Sequence, residues 1–267
     1  MSIKKITILG GGNIGMSIAQ GLVKSRAVKS KDITLTRLKS QSLKDLLKKG
    51  YTATHNNMDA VKGADLIIVA VQPRQYQEVL GEVKSSLDPK KQIIMSVVSA
   101  VSIEDLEKVI GKGFTIVRLM PNTAISVCES MSLISCSDTT SEQFKSVEAL
   151  LDKLGKTLII EEKMMNAATV LGSCGIAFFL RMIRAASQGG IQVGFHAEEA
   201  QFIAAQTAKG AVALLEKDSA HPEEEIDKVT TPLGLTIKGL NEMEHQGLSS
   251  AIIRGIVHSY NEIDKLH

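Results

Sequence analysis

The hydrophobic period of this chain changes once, near residue 162, and few folds accommodate such a change. Short β-branched runs at 6–9, 33–36, 51–53, 66–71, 92–97, 115–119, 131–134 and 157–160 alternate with helical patterns at 14–24, 41–48, 75–85, 103–109 and 141–154. Apolar strands separated by helices predict a mainly parallel sheet covered on both faces, and pattern alone leaves the direction of the last strands open. Beyond Glu161 the strand period is gone. Residues 163–187, 197–217, 222–229 and 236–263 read as helices, with breaks expected near Gly189-Gly190, His221-Pro222, Thr231-Pro232 and Gly247. The chain thus divides into an α/β domain, residues 1–162, and an all-α domain, residues 163–267. In the second, segment 201–216 carries Ala204, Ala205, Ala208, Gly210, Ala211 and Ala213. Small residues let helices approach closely, and a helical domain of only about a hundred residues is expected to bury those faces against a second copy.

The first strand runs directly into Gly10-Gly11-Gly12-Asn13-Ile14-Gly15, which opens a helix. In this G-x-G-x-x-G spacing Gly10 makes the tight turn, Gly12 lets backbone approach a pyrophosphate, and Gly15 packs helix on strand. The helix start offers N–H groups to phosphate. A Rossmann-like dinucleotide-binding fold follows, against the plainer reading of a glycine turn that serves packing alone. Where an NAD site places an acid, after the second strand, the chain reads Thr36-Arg37-Leu38-Lys39-Ser40. A hydroxyl and two cations suit a 2′-phosphate, so NADPH is expected, with NADH as the alternative; a solvated basic loop is the plain reading. Gln72-Pro73 and Met120-Pro121-Asn122-Thr123 follow two further strands, where open α/β sheets hold ligands or where prolines simply stop a strand.

Composition removes other classes. The 267 residues carry 31 basic and 29 acidic side chains, a net charge of +2, which gives no bulk attraction for a polyanion. Aromatics are 3% with no Trp, so no platform for stacking bases is expected, and no nucleic-acid partner. Cys128, Cys136 and Cys174 have no metal-ligand or disulfide spacing, so no metal is expected and a reducing compartment is. The first ten residues are too short in apolar run for a signal peptide, and the runs at 65–71 and 176–180 fall far below bilayer length. The expectation is a soluble cytoplasmic protein with no membrane partner. The six histidines, His55, His196, His221, His245, His258 and His267, lie in loop-like or polar-helix contexts and read as mostly solvated.

Taken together, these residues resemble the Δ1-pyrroline-5-carboxylate reductase family over nearly the whole chain. The family's G-x-G-N-M-G is similar to Gly10–Gly15 with Ile14 for Met, and A-V-K-P to Ala70-Val71-Gln72-Pro73. M-P-N-T-P is matched by Met120-Pro121-Asn122-Thr123-Ala124, S-G-S-G-P-A-Y by a stretch ending Gly172-Ser173-Cys174-Gly175-Ile176-Ala177-Phe178, and Q-T-x-x-G by Gln206-Thr207-Ala208-Lys209-Gly210. The most specific block, V-T-S-P-G-G-T-T-x-x-G-L-x-x-L-E, is matched over 229–244, with Thr231 for Ser, Leu233 for the first Gly and Leu235 for the first Thr. Other departures are Gln72 for Lys, Cys128 and Ser130 for two glycines, Ile176 for Pro, and Arg184 for an acid.

The resemblance implies reduction of a small cyclic imino acid to proline. By it, Thr231, Gly234 and Thr236 hold the carboxylate, and the Thr236 hydroxyl lies beside the imine nitrogen as the catalytic group. It further implies cofactor contacts from Gly10, Gly12, Asn13, Ile14, Gly15, Thr36, Arg37, Ala70, Val71, Pro73, Met120, Pro121 and Asn122. Asn57 matches a family asparagine on the adenosine ribose. A homodimer is implied, with rings of dimers and an active site walled partly by the second subunit. Locally, Thr231 is expected to cap a helix that has Pro232 first. The departures leave open a paralogue that reduces another cyclic imine, and a non-catalytic NADP(H)-binding regulator.

Overall fold

Alternation along each strand decides how this sheet is buried. In Ile6–Leu9 and Leu66–Val69 every residue is buried, and successive residues enter different apolar clusters. Ile8 and Ile68 join one cluster with Ile18, Leu22, Phe144 and Leu154, while Leu9, Ile67 and Val69 join another with Leu80, Val83, Leu106 and Ile110. Successive side chains point to opposite faces of a strand, so these clusters are the two faces of one sheet, each covered by helices. The computed structural model describes residues 3–37, 40–218 and 220–263.

The strands are β1 (Ile6–Leu9), β2 (Ile33–Thr36), β3 (Thr52–Thr54), β4 (Leu66–Val69), β5 (Ile93–Ser96), β6 (Thr115–Met120), β7 (Ser130–Cys136) and β8 (Gly155–Ile159). They lie in the order β3-β2-β1-β4-β5-β6-β7-β8. From β3 to β6 all pairs are parallel, and the order reverses direction between β1 and β4, the place where such sheets bind ligands. β7 runs antiparallel to β6, with Val117 opposite Cys136 and Met120 opposite Leu133. The link between them holds only the single-turn helix Thr123–Val127, too short for a crossover, whereas Glu142–Leu151 carries the chain from β7 to the parallel β8.

Arg118 lies on β6 at 4% exposure. Its Nη1 donates to Glu162 Oε1 at 3.1 Å, and that oxygen also accepts from the Ile103 N–H at 2.7 Å. Burial pulls the guanidinium pKa below its ordinary value, and Glu162 opposes that pull. Glu162→Ala would leave a buried cation without its counter-charge, a change that costs about 3 kcal/mol. Urea titration of the variant is expected to show a lower midpoint with an unchanged slope. A midpoint within error of the parent would show that water solvates the Arg118 guanidinium in place of Glu162.

The described residues fall into two units, those of 1–174 with 259–267, and Gly175–His258. The sequence pattern sets its boundary earlier, at residue 162. The spatial boundary is later because the first helical turns after Glu161 still serve the sheet unit: Met165 and Ala168 cluster with Met120, and partly buried Leu133 packs against them. Helix Met165–Ala168 leads into a π-helical stretch, Thr169–Cys174.

In the second unit, helix Gly175–Gln192 runs through Gly189-Gly190, where a break was expected. A side chain on Gly190 would come within 3.1 Å of the Ala200 Cβ, so this glycine serves the approach of helix Ala197–Asp218 and not a turn. The chain turns instead at Gly194, with φ +113°. Helices Pro222–Val229, Leu235–His245 and Leu248–Glu262 complete the unit, the last two parted at Gly247 as the sequence predicts. Among the described residues of this unit, only Gly175, Ser187 and Ala200 are buried. Phe179, Leu180, Phe202, Ile203, Val212 and Ile253 are all exposed, so the unit alone has no apolar core. The segment Glu162–Gln192, 31 residues, is long and apolar enough to cross a membrane by length and composition. Its longest uninterrupted apolar run, 176–180, is much shorter, which is why the sequence pattern alone shows no span there.

Candidate active site

The loop after β1 can be built only with glycine at two positions. Gly10 has φ +102°, and a Cβ there would meet the Ala70 carbonyl oxygen at 2.4 Å; a Cβ on Gly15 would meet the Gly10 carbonyl oxygen at 2.2 Å. Gly12 faces open space, and it caps helix Asn13–Lys24 with no acid in the first turn. The turn therefore keeps its first N–H groups for an anion. Above the loop lies a cleft of about 480 Å³, at the carboxyl ends of β1 to β4.

Gly10, Gly12, Thr36, Arg37, Asn57, Ala70 and Val71 of the expected cofactor set line this cleft. Their roles differ in detail from the sequence reading. Thr36 is buried, and its hydroxyl oxygen accepts from the Gly10 N–H at 3.3 Å, so it braces the loop at the wall of the cleft it lines. Arg37 reaches over the loop and donates from Nε to the Gly11 carbonyl. Leu38 and Lys39 lie outside the described residues, as does the Ser40 side chain. Asn57 begins the short helix Asn57–Val61, and its amide donates to Glu82 at 2.8 Å.

Asn13, Ile14, Gly15, Pro73, Met120, Pro121 and Asn122 do not line the cleft. Asn13 begins the helix, and Ile14 packs against the core. Met120 is buried. The Asn122 side chain is spent within the protein: Oδ1 accepts from the Ala124 N–H and Nδ2 donates to the Gly172 carbonyl, both at 3.0 Å. It ties the turn after β6 to the π-helical stretch. Conversely, Gly11, His55, Gln72, Gln75 and Val79 line the cleft without having been assigned to it by motif. Position was the available signal for His55, since it follows the carboxyl end of β3.

The residues fit a phosphorylated dinucleotide. Among the described residues no carboxylate lines the cleft, Arg37 is the one lining residue with a fixed positive charge, and a Cβ-free path is open at Gly12. No cysteine is among the described residues that line the cleft, and burial pushes up the Cys136 and Cys174 thiols elsewhere in the chain, away from reactive thiolate. Among the described residues no group of three or more His, Cys, Asp or Glu could hold a metal ion.

The substrate motif lies in the second unit. Thr231 was expected to cap the following helix, and it does not. The helix is Leu235–His245, its cap is Gly234 at φ −63° and ψ 163°, and Thr236 is its second residue. Residues 231–234 form a turn closed by the Gly234 N–H on the Thr231 carbonyl at 2.9 Å. Leu233 makes this turn by adopting φ +61°, a left-handed conformation that penalises a side chain, and this shifts the helix start past Pro232. The first turn holds no acid, so its N–H groups are available to a carboxylate. Leu233 is 89% exposed and gains nothing from burial, so Leu233→Gly should relieve about 1 kcal/mol of strain, less some unfolded-state entropy. A thermal melt of the variant is expected to shift upward; a fall would mean that the leucine is covered in the assembled protein.

The fold and the cleft define a Rossmann-type nicotinamide-dinucleotide oxidoreductase with an appended helical domain. Residues 162–266 match the family described as pyrroline-5-carboxylate reductase dimerisation, and residues 5–100 match NADP oxidoreductase coenzyme F420-dependent. The chain is 46% identical over 277 residues to pyrroline-5-carboxylate reductase 1 of Dictyostelium discoideum, covering 98% of this chain and 50% of that relative. It is 45% identical over 280 residues to pyrroline-5-carboxylate reductase 2 of the same organism, covering 98% and 93%. The chain belongs to the pyrroline-5-carboxylate reductase family. It spans half the length of the first relative and nearly all of the second. In fold it is similar to Plasmodium falciparum pyrroline carboxylate reductase with NADP bound, at TM-score 0.88 and 22% identity, covering 100% of this chain and 99% of that one.

Proposed function

We propose that this chain reduces Δ1-pyrroline-5-carboxylate to L-proline with NADPH. The observation that carries the reading is the substrate block, whose helix start presents unoccupied N–H groups and a threonine hydroxyl in one turn. A small anion with an adjacent imine needs those two features together. When bound, the nicotinamide supplies a hydride to the imine carbon. The chain's own groups do the rest. N–H groups at the start of Leu235–His245 hold the carboxylate, with Thr231 and Gly234 shaping the turn. Thr236 donates a hydrogen bond to the imine nitrogen, where negative charge builds as the double bond is reduced, and the proton that ends on that nitrogen comes from solvent water, with the hydroxyl left protonated. At the other end, Gly10 and Gly12 admit the pyrophosphate, Asn57 lies along the adenosine side, and Arg37 meets the 2′-phosphate. The remaining assigned contacts, from Asn13, Ile14, Pro73, Met120, Pro121 and Asn122, would come from backbone or through rearrangement of the turns. The test is a steady-state assay of the purified chain with pyrroline-5-carboxylate and NADPH. Substrate-dependent loss of reduced nicotinamide supports the reading, and binding of both compounds without turnover opposes it.

Residues 163–267 serve as the dimerisation segment in this reading, with rings of dimers as the larger assembly. The exposed Phe179, Leu180 and Phe202 support it, since a helical unit without a core of its own gains one by pairing. The same pairing gives the apolar segment Glu162–Gln192 a partner other than lipid, in keeping with a soluble cytoplasmic enzyme. Sedimentation velocity is expected to show a dimer or a multiple of it. A stable monomer with full activity would remove the assembly from the account.

A further inference from the structure

We propose that His55 is a positioning residue for cofactor choice, holding the Arg37 backbone so that its guanidinium meets a 2′-phosphate; this rests on the NADPH reading above. The ladder between β2 and β3 ends at the pair Thr36 and Thr54. Just beyond it two bonds keep the strands together. The Arg37 N–H donates to the Thr54 carbonyl at 3.2 Å, and His55 Nδ1 lies 2.5 Å from the Arg37 carbonyl oxygen. A carbonyl only accepts, so Nδ1 carries the proton in this contact. The peptide units on both sides of the Arg37 Cα are thereby tied to the end of β3. The side chain has its own anchor, Nε on the Gly11 carbonyl. Arg37 is therefore held at its main chain by His55 and at its guanidinium by the glycine loop, and both residues line the same cleft.

The consequence is selective. NADH and NADPH share every part of the ligand except the 2′-phosphate, so loosening the Arg37 main chain while Nε keeps its bond to Gly11 costs NADPH affinity much more than NADH affinity. A ring that packed on adenine would act on both cofactors equally.

The experiment measures dissociation constants of NADPH and NADH, by nicotinamide fluorescence, for the full chain and for His55→Ala, His55→Asn and His55→Gln. His55→Ala is expected to weaken NADPH about three- to ten-fold, the effect of one hydrogen bond, with NADH within about two-fold. His55→Asn sets an amide N–H near the place of Nδ1 and should restore most of the loss. His55→Gln sets its donor near the place of the other ring nitrogen and should not. Equal weakening of both cofactors, unchanged NADPH affinity in the alanine variant, or rescue by Gln in place of Asn each overturns the proposal. The unaltered chain tests the parent reading separately: equal NADPH and NADH affinity there overturns the phosphate site itself, and this inference with it.

Discussion

Thr236→Val is expected to lower turnover about 10²-fold while NADPH binds as before, the scale of one donor lost from a developing anion. Valine keeps the β-branched shape and removes only the hydrogen bond, whereas Thr236→Ala also opens space. Thr236 is exposed on the first turn of Leu235–His245 and makes no core contact, so the fold has little stake in it. Turnover and the Michaelis constant separate two versions of its role. Loss confined to turnover means that the hydroxyl stabilises the transition state. A smaller loss, felt mainly as weaker substrate binding, means that the hydroxyl only helps to hold the substrate. Unchanged values for both would exclude Thr236 from the site.

Arg37→Asp is expected to reverse cofactor preference. Removing a charge-assisted contact to the 2′-phosphate costs about 1.5–3 kcal/mol, or roughly ten- to a hundred-fold in affinity. The introduced carboxylate repels the phosphate and can accept from the ribose hydroxyls of NADH, as acids after the second strand do in NAD-type sites. Arg37 also covers Gly11, whose Cβ-sized space meets its Cγ at 2.9 Å, so some loss common to both cofactors will accompany the switch. The ratio of the two affinities is therefore the quantity to read. A ratio that does not move would show that Arg37 braces the loop and takes no part in recognising phosphate.

Much of this architecture was legible because the signals are local. The central strands β1, β4 and β5 are short, fully buried and mostly apolar runs, and Gly10, Gly12 and Gly15 fall at the spacing that a tight turn, an approaching pyrophosphate and a packed helix each demand. The direction of β7 was not legible, since an antiparallel strand carries the same alternation as a parallel one; only the short link at Thr123–Val127 decides it. Gly189-Gly190 misled because glycine marks both turns and close helix approach, and which applies depends on Ala200. The helix start at Gly234 was hidden by Thr231-Pro232, a good capping sequence overridden by the left-handed Leu233. Side-chain roles were the least legible. Asn122 stands at an expected ligand position yet spends its side-chain polar atoms inside the protein, Thr36 accepts from the glycine loop, and His55 meets the distant Arg37. Such partners are set by how strands align, which no local pattern records.

Hydride transfer from NADPH to the imine carbon of pyrroline-5-carboxylate can be followed atom by atom. The most direct measurement is a single turnover of purified protein with NADPH deuterated at nicotinamide C4 on the transferred face. The account predicts L-proline bearing one deuterium at C5, formed in step with the loss of reduced nicotinamide. Proline without the label, or nicotinamide consumed with no proline formed, would contradict it.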